Sequence, residues 1–192
     1  MSIQYILSLC LLAVLVIMVR VRATILSRRG IRVMVFGKTD KSDFLLVFLI
    51  LAILYTAFAN ILGLPMPGLL IHPFWSSPAP GWIGILLCVL AVVGFALAIK
   101  GFGDSFRVGI DEESPDKLVT GGIFALSRNP IYVCFLLFFA GMFLIHRNIV
   151  ILAADILFAL AVHRQILREE KFLEQHYGEE YERYKNKVRR YL

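Results

Sequence analysis

Long apolar runs, separated by short charged segments, make up most of the chain. Three runs free of Asp, Glu, Lys and Arg occupy Ile3–Val19, Phe44–Leu64 and Trp82–Ile99. Each is close to the roughly 20 residues with which a helix crosses a hydrocarbon core of about 30 Å. A fourth apolar run, Ile131–Val162, is interrupted by His146-Arg147-Asn148. Because each half of it is about 22 Å long as a helix, we predict a helical hairpin whose tip lies near the far interface.

The pattern therefore predicts an all-α integral membrane protein with five transmembrane helices, the last two forming a C-terminal helical hairpin. We expect the second arm of the hairpin to continue through Arg168 and to be followed by a helical cap. Composition agrees, since 59% of the residues are hydrophobic and 18% are charged, whereas soluble domains have roughly 45 to 50% apolar residues. A membrane β-barrel is excluded because the runs lack two-residue alternation.

The charged residues predict the orientation in the membrane. Of the 20 Lys and Arg residues, 19 follow the first, third and fifth predicted spans, and Arg147 alone falls on the other side. Cytoplasmic loops carry such an excess of cations, so we expect the N-terminus outside and the C-terminus, with its helical cap, in the cytosol. The net charge of +6 then follows from topology and from attraction to the lipid bilayer's anionic headgroups. Nucleic-acid binding is not expected, because no soluble basic face with interleaved aromatic residues is present.

Several reactive residue types have ordinary explanations. Cys10, Cys88 and Cys134 each lie in an apolar run, without a CxxC or a cluster of Cys and His, so neither a disulfide framework nor a metal site is predicted. His72 is interpreted as an exposed histidine of the outer loop. Asp155 lies in the second hairpin arm, where an unpartnered carboxylate costs about 3 kcal/mol. We expect it to be paired inside the bundle, with a functional role as the alternative.

Glycine and polar residues stand at the mouths of the apolar segments. Thr120-Gly121-Gly122 predicts a tight turn, because glycine permits positive φ and close approach of a ligand. The backbone amides and carbonyls of such a turn can bind the edge of an adenine; a plain re-entry turn is the alternative. The earlier Gly101-Phe102-Gly103 does not indicate a dinucleotide-binding fold, since no strand precedes it and Phe106 occupies the third glycine position.

Two further polar groups flank the hairpin. In the segment SRNPIY, Pro130 is suited to the first turn of a helix, Asn129 to its cap, and Arg128 to the position of a snorkelling cation. At the end of the last span, Gln165 and Glu169 are one helical turn apart, as are Arg164 and Arg168, so a carboxylate and a guanidinium can both border one pocket. A solvated helix beside the membrane would have the same composition, and this alternative stays open.

The order of these groups is specific. The chain reads G-x-x-F-R, then LVT-G-G-x-F-x-x-x-R-N-P-x-Y, then EE-x-x-L-x-x-x-Y-G-EE-Y-x-x-Y. Over about Gly101 to Val188 it resembles the isoprenylcysteine carboxyl methyltransferase family and its bacterial and phospholipid-methyltransferase relatives. The resemblance implies an integral membrane enzyme that uses S-adenosylmethionine without a Rossmann domain. It divides the chain into three transmembrane helices, residues 1–100, and a cofactor-binding and catalytic region, residues 101–192.

The resemblance also implies site residues. Those expected to bind the cofactor are Lys117, Leu118, Val119, Thr120, Gly122, Phe124, Asn129, Pro130, Ile131, Tyr132, His163 and Glu169. Two positions depart from the family pattern, since Asn129 stands at the usual histidine and Phe124 at the usual aromatic hydroxyl. The arginine that binds the substrate carboxylate falls on Gln165, flanked by Arg164. We therefore predict Arg164 and Glu169 as catalytic residues, with Arg164 and Gln165 binding the substrate.

The reaction implied is methylation of the carboxylate of a prenylated cysteine or a similar lipid-borne acid. A carboxylate is already ionised at pH 7, so it needs no general base to attack the sulfonium methyl group. Three alternatives remain open: a phospholipid or small-molecule methyltransferase, an NADPH-dependent sterol-type reductase, and a membrane scaffold without catalysis. No metal is implied.

Overall fold

The computed structural model describes residues 3–29, 43–66, 73–103 and 118–192, and the regular elements in these ranges are all helices. Some of the predicted residues lie outside these ranges, namely His72, Lys117 and the rest of the segment that begins at Asp104. The elements are α1 (Ile3–Arg28), α2 (Asp43–Leu62), α3 (Ala79–Phe102), a 3₁₀ helix (Gly122–Ala125), α4 (Pro130–His146), α5 (Ile149–Tyr177) and α6 (Glu179–Lys185). The predicted all-α fold is thus confirmed.

Three of the described helices, α1, α3 and α5, are long and apolar enough to cross a membrane, and α4 is a shorter apolar helix. The helices fit a membrane protein, whereas the five spans and the cytosolic location of the cap stay predictions. Two helices run past the predicted apolar runs: α1 continues beyond Val19 to Arg28, and α5 passes through Arg168 to Tyr177. The basic residues in these two stretches do not end the helices, because their long aliphatic side chains can lie along the helix while the charged group stays in water.

The hairpin between α4 and α5 turns over two residues, Arg147 and Asn148. Arg147 has a φ of 47°, a left-handed conformation that closes α4. Asn148 begins α5, since its Oδ1 accepts a hydrogen bond from the backbone N–H of Val150 at 2.7 Å. The Arg147 guanidinium donates to the carbonyl of Trp75 at 2.9 Å and thereby ties the hairpin tip to the segment before α3. The polar triplet in the sequence therefore predicted the turn correctly.

Helices α3 and α4 approach closely because small residues face each other. A Cβ added to Gly84 would lie 2.5 Å from the carbonyl oxygen of Gly141, and one added to Gly141 would lie 2.7 Å from the sulfur of Cys88. Without a hydrophobic driving force between helices in lipid, such backbone contact is a principal source of association. Phe95 and Phe138 fill the buried core of the same bundle. This packing fixes the first turn of α4, which leads into the candidate site.

The expectation that Asp155 is paired was wrong within the described part of the chain. Both of its carboxylate oxygens are buried and neither has a hydrogen-bond partner among the described residues. Cys88 interacts with it electrostatically. The Cys88 thiol, however, donates to the carbonyl of Phe138 at 3.5 Å rather than to the carboxylate. Among the described residues, no side chain or backbone group therefore donates to this carboxylate.

Candidate active site

Tyr132, Glu169 and Gln165 meet where the first turns of α4 pack against the C-terminal part of α5. The Tyr132 hydroxyl donates to Oε1 of Glu169 at 2.5 Å, and the Gln165 amide donates to the same oxygen at 3.0 Å. The second contact arises from helix geometry, since residues four apart lie on one face. The one-turn spacing of Gln165 and Glu169 thus gives a direct side-chain contact, and Tyr132 joins it from the neighbouring helix.

Glu170, the next residue of α5, accepts hydrogen bonds from Asn129 and Arg190 and forms an ion pair with Arg128. Arg128 Nη2 and Asn129 Nδ2 reach its Oε1 at 2.9 and 3.2 Å. Arg190 reaches its Oε2 through Nη2 at 2.8 Å and through Nε at 2.9 Å. The Glu170 side chain is 5% exposed and that of Arg128 is 7% exposed. We call Arg128, Asn129, Glu170 and Arg190 the Glu170 cluster.

Two expectations about the segment before α4 need correction. Arg128 does not snorkel toward water, because the buried carboxylate of Glu170 provides a stronger partner than solvent. Asn129 is the residue before α4, but its side chain makes no capping hydrogen bond to that helix. Its amide is instead used on Glu170 and on the Arg190 carbonyl, which it reaches at 3.2 Å. Pro130 is the buried first residue of α4, as predicted, and Ile131 packs beside Leu26 of α1.

The glycine turn precedes the site in the chain. Leu118 and Val119 are half-buried, and Thr120 is exposed. Gly122 has a φ of 63°, a conformation that favours glycine, and a Cβ added at Gly121 or Gly122 would meet nothing within 4 Å. Among the described residues, nothing covers the Cβ side of these two glycines, and the Gly121 carbonyl accepts from the backbone N–H of Phe124 at 3.2 Å.

Phe124 in the following 3₁₀ helix is buried and packs edge-on against Phe102 of α3, with ring centroids 4.5 Å apart. The Tyr184 hydroxyl of α6 donates to the Phe124 carbonyl at 2.7 Å. Burial raises the pKa of Tyr184 to about 12, so this hydroxyl keeps its proton at neutral pH. Tyr181 on the same helix is fully buried. Helix α6 therefore packs against the rest of the protein through its tyrosines.

The remaining predicted residues lie one to two turns before Glu169 on α5. His163 Nδ1 is 2.6 Å from the Tyr191 hydroxyl, and the two rings stack. Arg164 is exposed, whereas Gln165 is half-buried and turned toward Glu169. The structure thus joins Gln165 to the Tyr132–Glu169 pair. Whether any of the predicted residues binds a ligand stays a prediction.

Sequence reasoning missed Arg190. The residue belongs to a basic segment, Arg183–Arg190, that has the composition of a solvated chain end. Its role depends on the chain returning to α4, which no local pattern encodes. The two consecutive glutamates of α5 marked Glu170 in the sequence. The side chains that contact Glu170 could not be identified from the sequence. Among the described residues, no group of His, Cys, Asp and Glu is arranged to hold a metal ion.

Comparison with known proteins identifies relatives over this part of the chain. The profile of the phospholipid methyltransferase family matches residues 80–180, which is more than half of the 192 residues. Probable protein-S-isoprenylcysteine O-methyltransferases of Oryza sativa subsp. indica and subsp. japonica are 33% identical over 113 residues, covering 56% of this chain and 58% of theirs. The protein-S-isoprenylcysteine O-methyltransferase of Schizosaccharomyces pombe is 29% identical over 137 residues, covering 69% of this chain and 57% of its own. The chain therefore spans less than two thirds of the length of these relatives.

Proposed function

This chain belongs to the phospholipid methyltransferase family, and we propose that it is an S-adenosylmethionine-dependent methyltransferase of the membrane that acts on a lipid-borne acceptor. The observation that carries the proposal is the Glu169 carboxylate, held by Tyr132 and Gln165 between two apolar helices. A carboxylate in this position can bind a cationic cofactor at the boundary between water and lipid. The acceptor's apolar tail would stay in the bilayer.

The residues present fit this cofactor. Among the described residues, both hydrogen bonds to Glu169 end on Oε1, which leaves Oε2 for the cofactor's ammonium group. The open backbone at Gly121 and Gly122 suits the edge of an adenine. Bound S-adenosylmethionine would supply a methyl group on a positively charged sulfur, activated for direct transfer. The protein's task is then to hold the two reactants in line and to exclude water.

We propose the carboxylate of a prenylated cysteine, or of a similar lipid-borne acid, as the methyl acceptor, in agreement with the names of the rice and yeast relatives. The carboxylate is ionised at pH 7, and its charge separation from the sulfonium decreases toward the transition state, so a dry site favours the reaction. Arg164 would aim the carboxylate through its guanidinium. A tail of roughly 15 carbons provides about 10 kcal/mol of gross transfer free energy, at about 0.8 kcal/mol per buried methylene.

A specific observation favours a second candidate, methylation of the amine of a phospholipid. The Gln165 amide donates to Glu169 at 3.0 Å, and the Arg164 side chain is exposed. An amide is neutral and does not select for an acidic acceptor. An amine must lose its proton before it attacks, so its methylation should accelerate as pH rises, whereas methylation of a carboxylate should change little above pH 6.

Radioactive methyl transfer separates these candidates. Detergent-purified protein would be incubated with methyl-labelled S-adenosylmethionine and either a farnesylated N-acetylcysteine or phosphatidylethanolamine vesicles. A base-labile label on the farnesylated acid, formed at a rate that is nearly constant from pH 6.5 to 8.5, is the result we expect. A base-stable label on the phospholipid, with a rate that rises over this range, would support the second candidate. No transfer to either acceptor would contradict the proposal.

A further inference from the structure

After α6 the chain returns to the first turn of α4. The backbone N–H of Arg128 donates to the carbonyl of Arg189 at 3.0 Å. The next carbonyl, that of Arg190, accepts from Asn129 Nδ2 at 3.2 Å and from the Ser127 hydroxyl at 3.4 Å. Farther on, Tyr191 contacts His163 of α5. Residues 189–191, which we call the return segment, therefore bridge the start of α4 and α5.

The Glu170 cluster fastens this segment through charge. One buried carboxylate lies between two guanidiniums, that of Arg128 before α4 and that of Arg190 in the return segment. Arg190 uses both Nε and Nη2 on Oε2, which fixes the plane of its guanidinium. If Glu170 lost its charge, the buried Arg128 would face a second cation without a counter-ion, and this arrangement is strongly unfavourable.

We propose that Glu170 and Arg190 are positioning residues that hold Tyr132 against Glu169. Asn129 and Tyr132 are separated by one turn at the start of α4, and their partners Glu170 and Glu169 are consecutive on α5. The two contacts join the same pair of helices at neighbouring points. A shift of α4 that breaks the first contact therefore also displaces Tyr132 from Glu169.

The consequence for function rests on the proposed role of Glu169 in cofactor binding. Glu170 touches neither reactant in this account. It acts through the geometry of Tyr132, and its effect on the cofactor should vanish when Tyr132 can no longer donate. A residue that only stabilises the fold would lack this dependence, because the effects of independent sites on free energy add.

A double-mutant cycle on affinity for S-adenosylmethionine tests this dependence. Glu170→Gln, Tyr132→Phe and the double variant would be compared with the parent by calorimetry in detergent. We expect each single variant to bind about tenfold more weakly, as for loss of a hydrogen bond to a charged group, and the double variant to bind no more weakly than the weaker single one. Additive losses, or unchanged affinity in Glu170→Gln, would overturn the proposal.

A spectroscopic readout separates failure of this proposal from failure of the proposed function. The seven tyrosines would be replaced by 3-fluorotyrosine, with the Tyr132 resonance assigned by its loss in Tyr132→Phe. We expect the resonance to shift in Glu170→Gln and in Arg190→Gln without any cofactor. Arg189→Gln is the matched control, since that side chain is exposed, and it should leave the resonance in place.

An unmoved Tyr132 resonance in Arg190→Gln would contradict the positioning role even if Glu170→Gln did not fold. If the resonance shifts in these variants but the parent binds no S-adenosylmethionine, the proposed function is contradicted and the coupling of Glu170 to Tyr132 stands. Arg190→Lys should restore little, because an ammonium cannot reproduce the two contacts of the guanidinium.

Discussion

The hydroxyl of Tyr132 lies 2.5 Å from Oε1 of Glu169, so the first turn of α4 and the C-terminal part of α5 share a short hydrogen bond to a carboxylate. The donor is the last residue of the SRNPIY segment, and the acceptor is the first of the two consecutive glutamates. The contact therefore links two sequence motifs that are 37 residues apart.

We expect Glu169→Ala to weaken S-adenosylmethionine binding by about 1.5 to 3 kcal/mol, because the lost interaction involves a charged group. Calorimetry on the purified variant measures the change. Glu180→Ala is the matched control, since Glu180 is exposed on α6. Equal affinity of the Glu169 variant and the parent, with the fold intact, would remove Glu169 from the cofactor site.

The contact between α3 and α4 makes a prediction about stability. Gly84→Ala places a methyl group 2.5 Å from the backbone oxygen of Gly141, and backbone cannot move aside as a flexible side chain does. Overpacking of this kind costs about 1 to 3 kcal/mol, so the unfolding temperature in detergent should fall. Gly121→Ala, with a φ of −98° and open space around the new carbon, should leave it unchanged. A Gly84 variant as stable as the parent would show that the two helices are farther apart.

Periodic features of the fold could be predicted from the sequence. The hairpin turn was visible because three polar residues interrupt an apolar run, and the structure turns at the last two of them, Arg147 and Asn148. The Gln165–Glu169 contact was also predictable, since helical spacing alone places these side chains on one face. Both features depend on residues near each other in the chain.

Features that depend on the return of distant chain could not be predicted. Arg128 had the position of a snorkelling cation, and only the packing of α5 beside it supplies the buried carboxylate of Glu170. Arg190 contacts the same carboxylate because the chain turns back after α6. Asp155 was expected to be paired because an unpartnered carboxylate in a membrane is costly. Its buried carboxylate nevertheless has no hydrogen-bond partner among the described residues.

The orientation in the membrane is testable by labelling. Because 19 of the 20 Lys and Arg residues fall on one side of the predicted spans, Ser76→Cys should react with an impermeant maleimide added to intact cells and Lys187→Cys should not. Lys187→Cys should react once the cells are permeabilised. The parent, whose three cysteines lie in apolar runs, gives the background. The opposite labelling pattern would place the N-terminus inside.

Three substitutions on α5 test which residue binds the methyl acceptor. If Arg164 aims the acceptor carboxylate, Arg164→Ala should lower the rate of methyl transfer with nearly unchanged affinity for the cofactor. Arg164→Lys should recover little of this rate, because a point charge cannot replace a bidentate fork. Equal specific activity of Arg164→Lys and the parent would eliminate the role. A loss confined to Gln165→Ala would assign the position to Gln165, which contacts Glu169.

The most direct test of the account is calorimetry of the parent protein in detergent with S-adenosylmethionine and, separately, with NADPH. The site offers the Glu169 carboxylate to a cationic cofactor. We therefore predict saturable binding of S-adenosylmethionine, weakened in Glu169→Ala, and no binding of NADPH. Binding of NADPH without S-adenosylmethionine would indicate a reductase, and binding of neither would indicate a scaffold; each result would contradict the proposed methyltransferase.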